Sequence, residues 1–141
     1  MNDALWTLIE GHSRGVLVTV KRDGRPQLSN VGYLYDPAAR TALISVTADR
    51  AKTRNLARDP RVSLYVTTTD LGAYAVAEGV AALGAIADAV DDPATDGIVE
   101  HYRAMRGEHP DWAAFRAAMV SEQRLLVRVS LDRVYGWTGD G

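Results

Sequence analysis

The sequence predicts a β-rich α+β domain built on an antiparallel sheet or barrel, and three observations carry that prediction. Five or six runs rich in β-branched and apolar residues follow one another with only short turns between them. No strand–helix–strand alternation repeats, which argues against Rossmann and TIM architectures. Most of the strand pattern precedes most of the helical pattern. The 141 residues show no internal repeat, low-complexity tract or linker, so residues 1–141 read as one domain. An apolar share of 47% supplies a core and excludes disordered or collagen-like chains.

Taken in order, Asn2 is placed to cap a short helix whose Leu5, Leu8 and Ile9 share one face, with Gly11 as its stop. Residues 16–21 and 26–35 form a hairpin around Arg22-Asp23-Gly24-Arg25, because Asp-Gly supplies the positive φ that a tight turn needs. Asp36-Pro37 ends the second strand, and residues 41–47 make a third. Residues from Ala51 read as a helix stopped by Pro60, which disfavours helical backbone in the residue before it. Residues 61–67 and 74–83 are the fourth and fifth strands, with Gly79 marking a bulge. The acidic run 88–96 reads as a solvated loop. Helices are predicted over 97–106 and 111–120, and a last strand over 125–131.

Charge and composition narrow the chemistry. Sixteen basic and 18 acidic side chains give a net charge of −2, so no global cationic field draws in nucleic acid or an anionic membrane. Any anion site has to be local. Without cysteine there is no thiolate nucleophile, Cys-ligated metal or disulfide frame. His12, His101 and His109 lack metal-ligand spacing, and the acidic run lacks the glycine and terminal Glu of a calcium loop. No P-loop, dinucleotide fingerprint or nucleophile elbow is present. Asp3 stands where a secretory signal would carry positive charge, and no apolar run approaches the roughly 20 residues of a membrane span. A cytoplasmic protein with no membrane span is expected.

Two segments concentrate polar chemistry. Arg50-Ala51-Lys52-Thr53-Arg54-Asn55 puts three cations at the predicted start of a helix, and Lys52 is one of only two lysines. A helix N-terminus offers unpaired N–H groups and a partial positive charge, so this pattern suits a phosphate. The same pattern also occurs as a solvated basic surface, and spacing alone leaves both readings open. Gln27-Leu28-Ser29-Asn30 carries amide and hydroxyl groups along a strand, where they can read the edge of a heterocycle or simply line an exposed face. Tyr74 can stack on a ligand or pack. Trp112, Phe115 and Met119, at i, i+3 and i+7, read as core or subunit contact.

Several spaced segments together resemble a known family. They are Gly15-Val16-Leu17-Val18-Thr19, the stretch from Asp23 to Asn30, the stretch from Arg50 to Leu56, and Asp59-Pro60-Arg61. The chain resembles the split β-barrel flavin and deazaflavin oxidoreductases of the pyridoxamine phosphate oxidase-like superfamily. The likeness continues through Tyr74-Ala75-Val76-Ala77-Glu78-Gly79 and Arg133-Val134-Tyr135-Gly136, nearly the whole chain. Within that group it is most similar to the small actinobacterial enzymes that use the deazaflavin coenzyme F-420.

The resemblance implies a six-stranded antiparallel split β-barrel with peripheral helices, assembled as a homodimer with cofactor sites at the subunit interface. It implies hydride transfer between F-420 and a small conjugated organic substrate. An FMN-binding oxidoreductase of the same fold, or a non-catalytic flavin- or deazaflavin-binding protein, is the alternative. Arg50, Lys52 and Arg54 would take the phosphate, with Ala51 and Thr53 adding backbone or hydroxyl contacts. Gln27, Leu28, Ser29 and Asn30 would line the ring, Ser45 and Val46 would flank ring and ribityl chain, and Tyr74 would reach in from the other subunit. Arg22, Arg25 and Arg54 would meet the acidic tail that distinguishes F-420. No catalytic side chain and no metal are implied, because the cofactor makes and breaks the bonds. The longer C-terminal segment that contacts substrate in pyridoxamine phosphate oxidases has no counterpart after Tyr135-Gly136-Trp137, so the namesake activity is not expected.

Overall fold

The computed structural model describes residues 2–139. Helix α1 (Asp3–Glu10) precedes β1 (Arg14–Val20), β2 (Pro26–Gly32), β3 (Leu34–Asp36) and β4 (Thr41–Thr47). Then come α2 (Ala51–Arg58), β5 (Arg61–Thr67), β6 (Tyr74–Leu83), α3 (Pro93–Arg106), α4 (Trp112–Ser121) and β7 (Arg124–Trp137). The strands form one antiparallel sheet in the order β2-β1-β5-β6-β7-β4-β3.

The sheet has seven strands, not the six expected, because the run 26–35 divides at Tyr33. This residue is 1% exposed; its N–H donates to the Ser13 carbonyl at 2.9 Å and its hydroxyl to the Ile9 carbonyl at 2.6 Å. Before it, β2 pairs with β1; after it, β3 pairs with β4 at the opposite edge. One residue therefore joins the two edges, and the sheet has to curl into an open half-barrel.

Period-2 alternation fills the interior. On β4, Ala42, Ile44 and Val46 are buried, and they meet Leu17, Leu64, Val66, Val127 and Val129 from the neighbouring strands. Leu5, Trp6 and Ile9 of α1 complete this core. Each of the buried Val, Leu and Ile side chains contributes about 1.5–3 kcal/mol on full burial. Helix α2 buries Leu56 and Asn55, whose amide donates to the Thr19 hydroxyl at 3.1 Å. A second cluster lies under α3 and α4, where Ile98, Val99, Phe115 and Met119 are buried with Trp112 packed against them. The stripe at Trp112, Phe115 and Met119 is thus core.

Gly79 does mark a bulge: Glu78 pairs with Arg133 and Gly79 with Leu131, leaving Asp132 on β7 as the extra residue. A Cβ on Gly79 would fall 1.8 Å from the Ser130 carbonyl oxygen, which is why glycine stands there. Three further elements depart from expectation. That bulge hid the second half of β7, since it shifts the buried alternation by one residue. Helix α3 starts at Pro93, not Gly97, and the acids before it are not simply solvated. The Asp92 carboxylate accepts from the N–H groups of Thr95, Asp88 and Ala89, which hold it well below the usual carboxylate range. Asp96 pairs with Arg116 at 2.8 Å. Asn2 occupies the N-cap position of α1, but its side chain makes no capping bond.

Candidate functional site

Strand β4 feeds directly into α2, and the junction is cationic. Arg50 takes the N-cap position with φ −71° and ψ 150°, and no side chain caps the first turn. The Thr53 hydroxyl donates to the Thr47 carbonyl at 2.8 Å, and the Arg50 N–H reaches the same oxygen at 3.3 Å, which folds the helix start back onto the end of β4. Lys52 is half-buried. Burial, and then the charges of Arg50 and Arg124, hold its amine below the ordinary lysine value. Arg124 comes from the start of β7, placed by its ladder pairing with Thr47.

The charge of this corner is only partly neutralised. Among the described residues neither Arg50 nor Lys52 has an ion-pair partner, whereas Arg124 reaches Glu122 at 2.9 Å. The Thr47 hydroxyl is buried and has no hydrogen-bond partner among the described residues. Open first-turn N–H groups, like charges held together and an unused hydroxyl are what a bound phosphate or carboxylate would satisfy.

Two residues before Thr47, and so on the same face of β4, Ser45 lines a cavity of about 280 Å³ between the sheet and helices α3 and α4. Arg124, His101, Tyr102 and Phe115 also line it. His101 is 7% exposed and its Nε2 lies 3.0 Å from the Leu43 carbonyl oxygen. A carbonyl only accepts, so Nε2 carries the proton, and burial, outweighing that hydrogen bond, lowers the ring's pKa. The neutral tautomer leaves Nδ1 as an acceptor.

The structure places the expected residues unevenly. Arg50, Ala51, Lys52, Thr53 and Arg54 open α2 as expected, although Thr53 is 4% exposed and its hydroxyl proton is already committed to Thr47. Ser45 lines the cavity, but Val46 is 2% exposed and points into the core. The Val46 side chain faces away from the cavity, so only its backbone adjoins Ser45. Gln27, Leu28, Ser29 and Asn30 do not form one lining. Leu28 and Asn30 share the outer face with their partners Val18 and Val16, while Gln27 and Ser29 pair with the buried Thr19 and Leu17. Tyr74 lies elsewhere in this chain. It pairs with Trp137, whereas Ser45 pairs with Leu126, eleven residues away along β7, about 35 Å of strand. Its ring is 5.9 Å from that of Tyr65.

Residues 1–138 match the family described as pyridoxamine 5'-phosphate oxidase. The chain belongs to that family. Solved structures share the fold of this pyridoxamine 5'-phosphate oxidase family member at low identity. A conserved hypothetical protein, Rv2991, from Mycobacterium tuberculosis is 22% identical with a TM-score of 0.73, over 99% of this chain and 86% of that one. An F-420 reductase is 23% identical with a TM-score of 0.69, over 96% of this chain and 98% of the other. A heme binding protein from Mycobacterium smegmatis is 22% identical with a TM-score of 0.69, over 97% of this chain and 53% of that protein.

Three residues of the candidate site escape reading from sequence. Thr47 is the last residue of an ordinary β-branched strand. Arg124 lies 72 positions beyond Lys52 and arrives only through the β4–β7 register. His101 carries no motif, and only its place in the helical stripe with Ile98 and Tyr102 could have directed it toward the sheet.

Proposed function

We propose that this protein is an oxidoreductase that holds the phosphate of the deazaflavin coenzyme F-420 at the start of α2 and works on a small conjugated organic substrate. The observation that carries the reading is the uncapped cationic first turn of α2, where among the described residues neither Arg50 nor Lys52 has an ion-pair partner. Family membership and an F-420 reductase of the same fold support it. When bound, the deazaflavin supplies two-electron hydride chemistry at a ring carbon.

The chain's own residues bind and orient. Arg50 offers a planar fork of donors and Lys52 a mobile point charge, and charge-assisted bonds of this kind are about twice as strong as neutral ones. Thr47 offers a hydroxyl that has no partner among the described residues. The first-turn N–H groups of Ala51 to Thr53 complete the cradle, Arg54 with Arg22 and Arg25 is left for an acidic tail, and Ser45 with Leu28 and Asn30 borders the ring. Tyr102, Phe115 and Met119 give the cavity an apolar wall. FMN shares the ring-to-phosphate layout and is the second reading.

The homodimer belongs to the same proposal. Val16, Tyr65, Val76 and Tyr135 pair in one row across the outer face of β1, β5, β6 and β7, beside Tyr74 and Trp137. Tyr135 and Trp137 are 53% and 50% exposed. A second copy of the chain over this face would cover the aromatics and give Tyr74 a way to the partner's site. Sedimentation at micromolar protein is expected to show a dimer mass, and a monomer alone would remove that part. For the cofactor, parallel fluorescence titrations with F-420 and FMN at fixed salt are expected to favour F-420. Tighter FMN binding would move the protein to the flavin reading, and binding of neither would remove the cofactor proposal.

A further inference from the structure

The cavity beside Ser45 is only half of a longer groove. At Gly32 and Arg106 it meets an open cleft of about 520 Å³ that Arg14, Val16 and Asn30 also line. Glycine keeps the junction passable, since a Cβ on Gly32 would already stand 3.3 Å from the Met105 methyl. Arg14, Arg106 and Arg124 line the two spaces, and among the described residues no Asp or Glu does. In a chain with more acids than bases this segregation is not a compositional default. It focuses positive potential along one path.

The far end resembles the α2 start in being left without counter-charge. Arg103, three residues before Arg106 on α3, is held by Glu100 and Glu108, and Arg116 of α4 by Asp96. Arg106 and Arg14 have no carboxylate partner among the described residues. Between the two cationic ends the wall is apolar and polarizable, formed by Tyr102, Met105, Phe115 and Met119. A flat conjugated body with an acidic group at one end matches that sequence of surfaces.

We propose that Arg106 and Arg14 form a second anion subsite, separate from the start of α2, which recognises the carboxylate of flat conjugated organic acids as the substrate class. The substrate role rests on the cofactor reading above; the subsite itself does not. The probe is trans-cinnamate, with cinnamamide as its neutral counterpart, titrated calorimetrically into the full-length protein. Cinnamate is expected to bind more tightly than cinnamamide. Arg106→Gln should weaken cinnamate at least tenfold and Arg14→Gln less, with cinnamamide unmoved and F-420 or FMN affinity changed less than twofold. Unaltered thermal melting of both exposed-site variants keeps the comparison fair.

Equal binding of cinnamate and cinnamamide, or cinnamate affinity untouched in both variants, would overturn the proposal. So would a loss of cofactor affinity in Arg106→Gln as large as the loss for cinnamate, because the arginines would then belong to the cofactor's own site. Arg106-dependent cinnamate binding by a protein that takes neither F-420 nor FMN would uphold the subsite while removing the cofactor reading.

Discussion

At the start of α3 the Asp92 carboxylate takes up three N–H groups, with Pro93 preset for the first helical position; at the start of α2 the equivalent place belongs to Arg50, which caps nothing. The first helix is finished by its own chain. The second forgoes about 1 kcal/mol of capping and adds about 0.3–1 kcal/mol of unfavourable charge against the helix dipole. Burial and neighbouring cations also depress the Lys52 amine, a further strain that an anion would relieve. An anion bound at the start of α2 would supply from outside the partner that α3 finds in its own chain.

Making α2 resemble α3 should give the largest effect. Arg50→Asp is expected to lower affinity for F-420 at least a hundredfold, the range for losing a charged hydrogen bond and gaining like-charge repulsion. The same change should raise folding stability by about 1 kcal/mol in chemical denaturation, because the helix gains a cap. Loss of both binding and stability would mean that Arg50 holds the fold and not a ligand.

The converse change at α3 is the next largest. Asp92→Ala is expected to lower the melting temperature at neutral pH by a few degrees and to leave cofactor affinity unaltered. Its pH dependence has a defined sign. The Asp92 carboxyl is depressed in the folded protein, so its contribution is fully present above the unfolded value of 3.8 and is lost as pH falls through the folded value. Melting curves of the variant should therefore lose part of the acid-side slope seen in the wild type.

Thr47→Val should have the smallest effect, and it sharpens the comparison. Removing a buried hydroxyl that has no partner among the described residues is expected to leave the free protein as stable or slightly more so. Cofactor affinity should fall by about 0.5–1.5 kcal/mol, severalfold in a titration. A clear loss of stability in the ligand-free protein would show that the hydroxyl already has a structural use.

The parts legible in the sequence are those decided locally. The Asp23-Gly24 turn, with Gly24 at φ 91°, and Pro60 after α2 act within a few residues, and the structure follows both. The cationic run at 50–54 was legible for the same reason, since the helix start and its charges are neighbours in the chain. What was hidden depends on partners far along the chain. Leu34 and Tyr35 continue an unbroken strand pattern, and only the Ser13 and Ile9 carbonyls reveal the break at Tyr33. Asp92-Pro93 is a readable helix start that the surrounding acids obscured. Val46 and the mixed run 27–30 show the cost of carrying a contiguous motif onto a strand, where alternate residues face opposite sides.

The most direct test of the open helix end is Lys52→Ala measured by calorimetric titration with F-420. Lys52 touches the proposed anion but caps nothing and pairs with no carboxylate among the described residues. The expected result is a loss of about 1.5–3 kcal/mol in affinity, roughly ten- to a hundredfold, with unchanged thermal stability. Unchanged affinity would contradict the account and return residues 50–54 to an ordinary solvated basic surface.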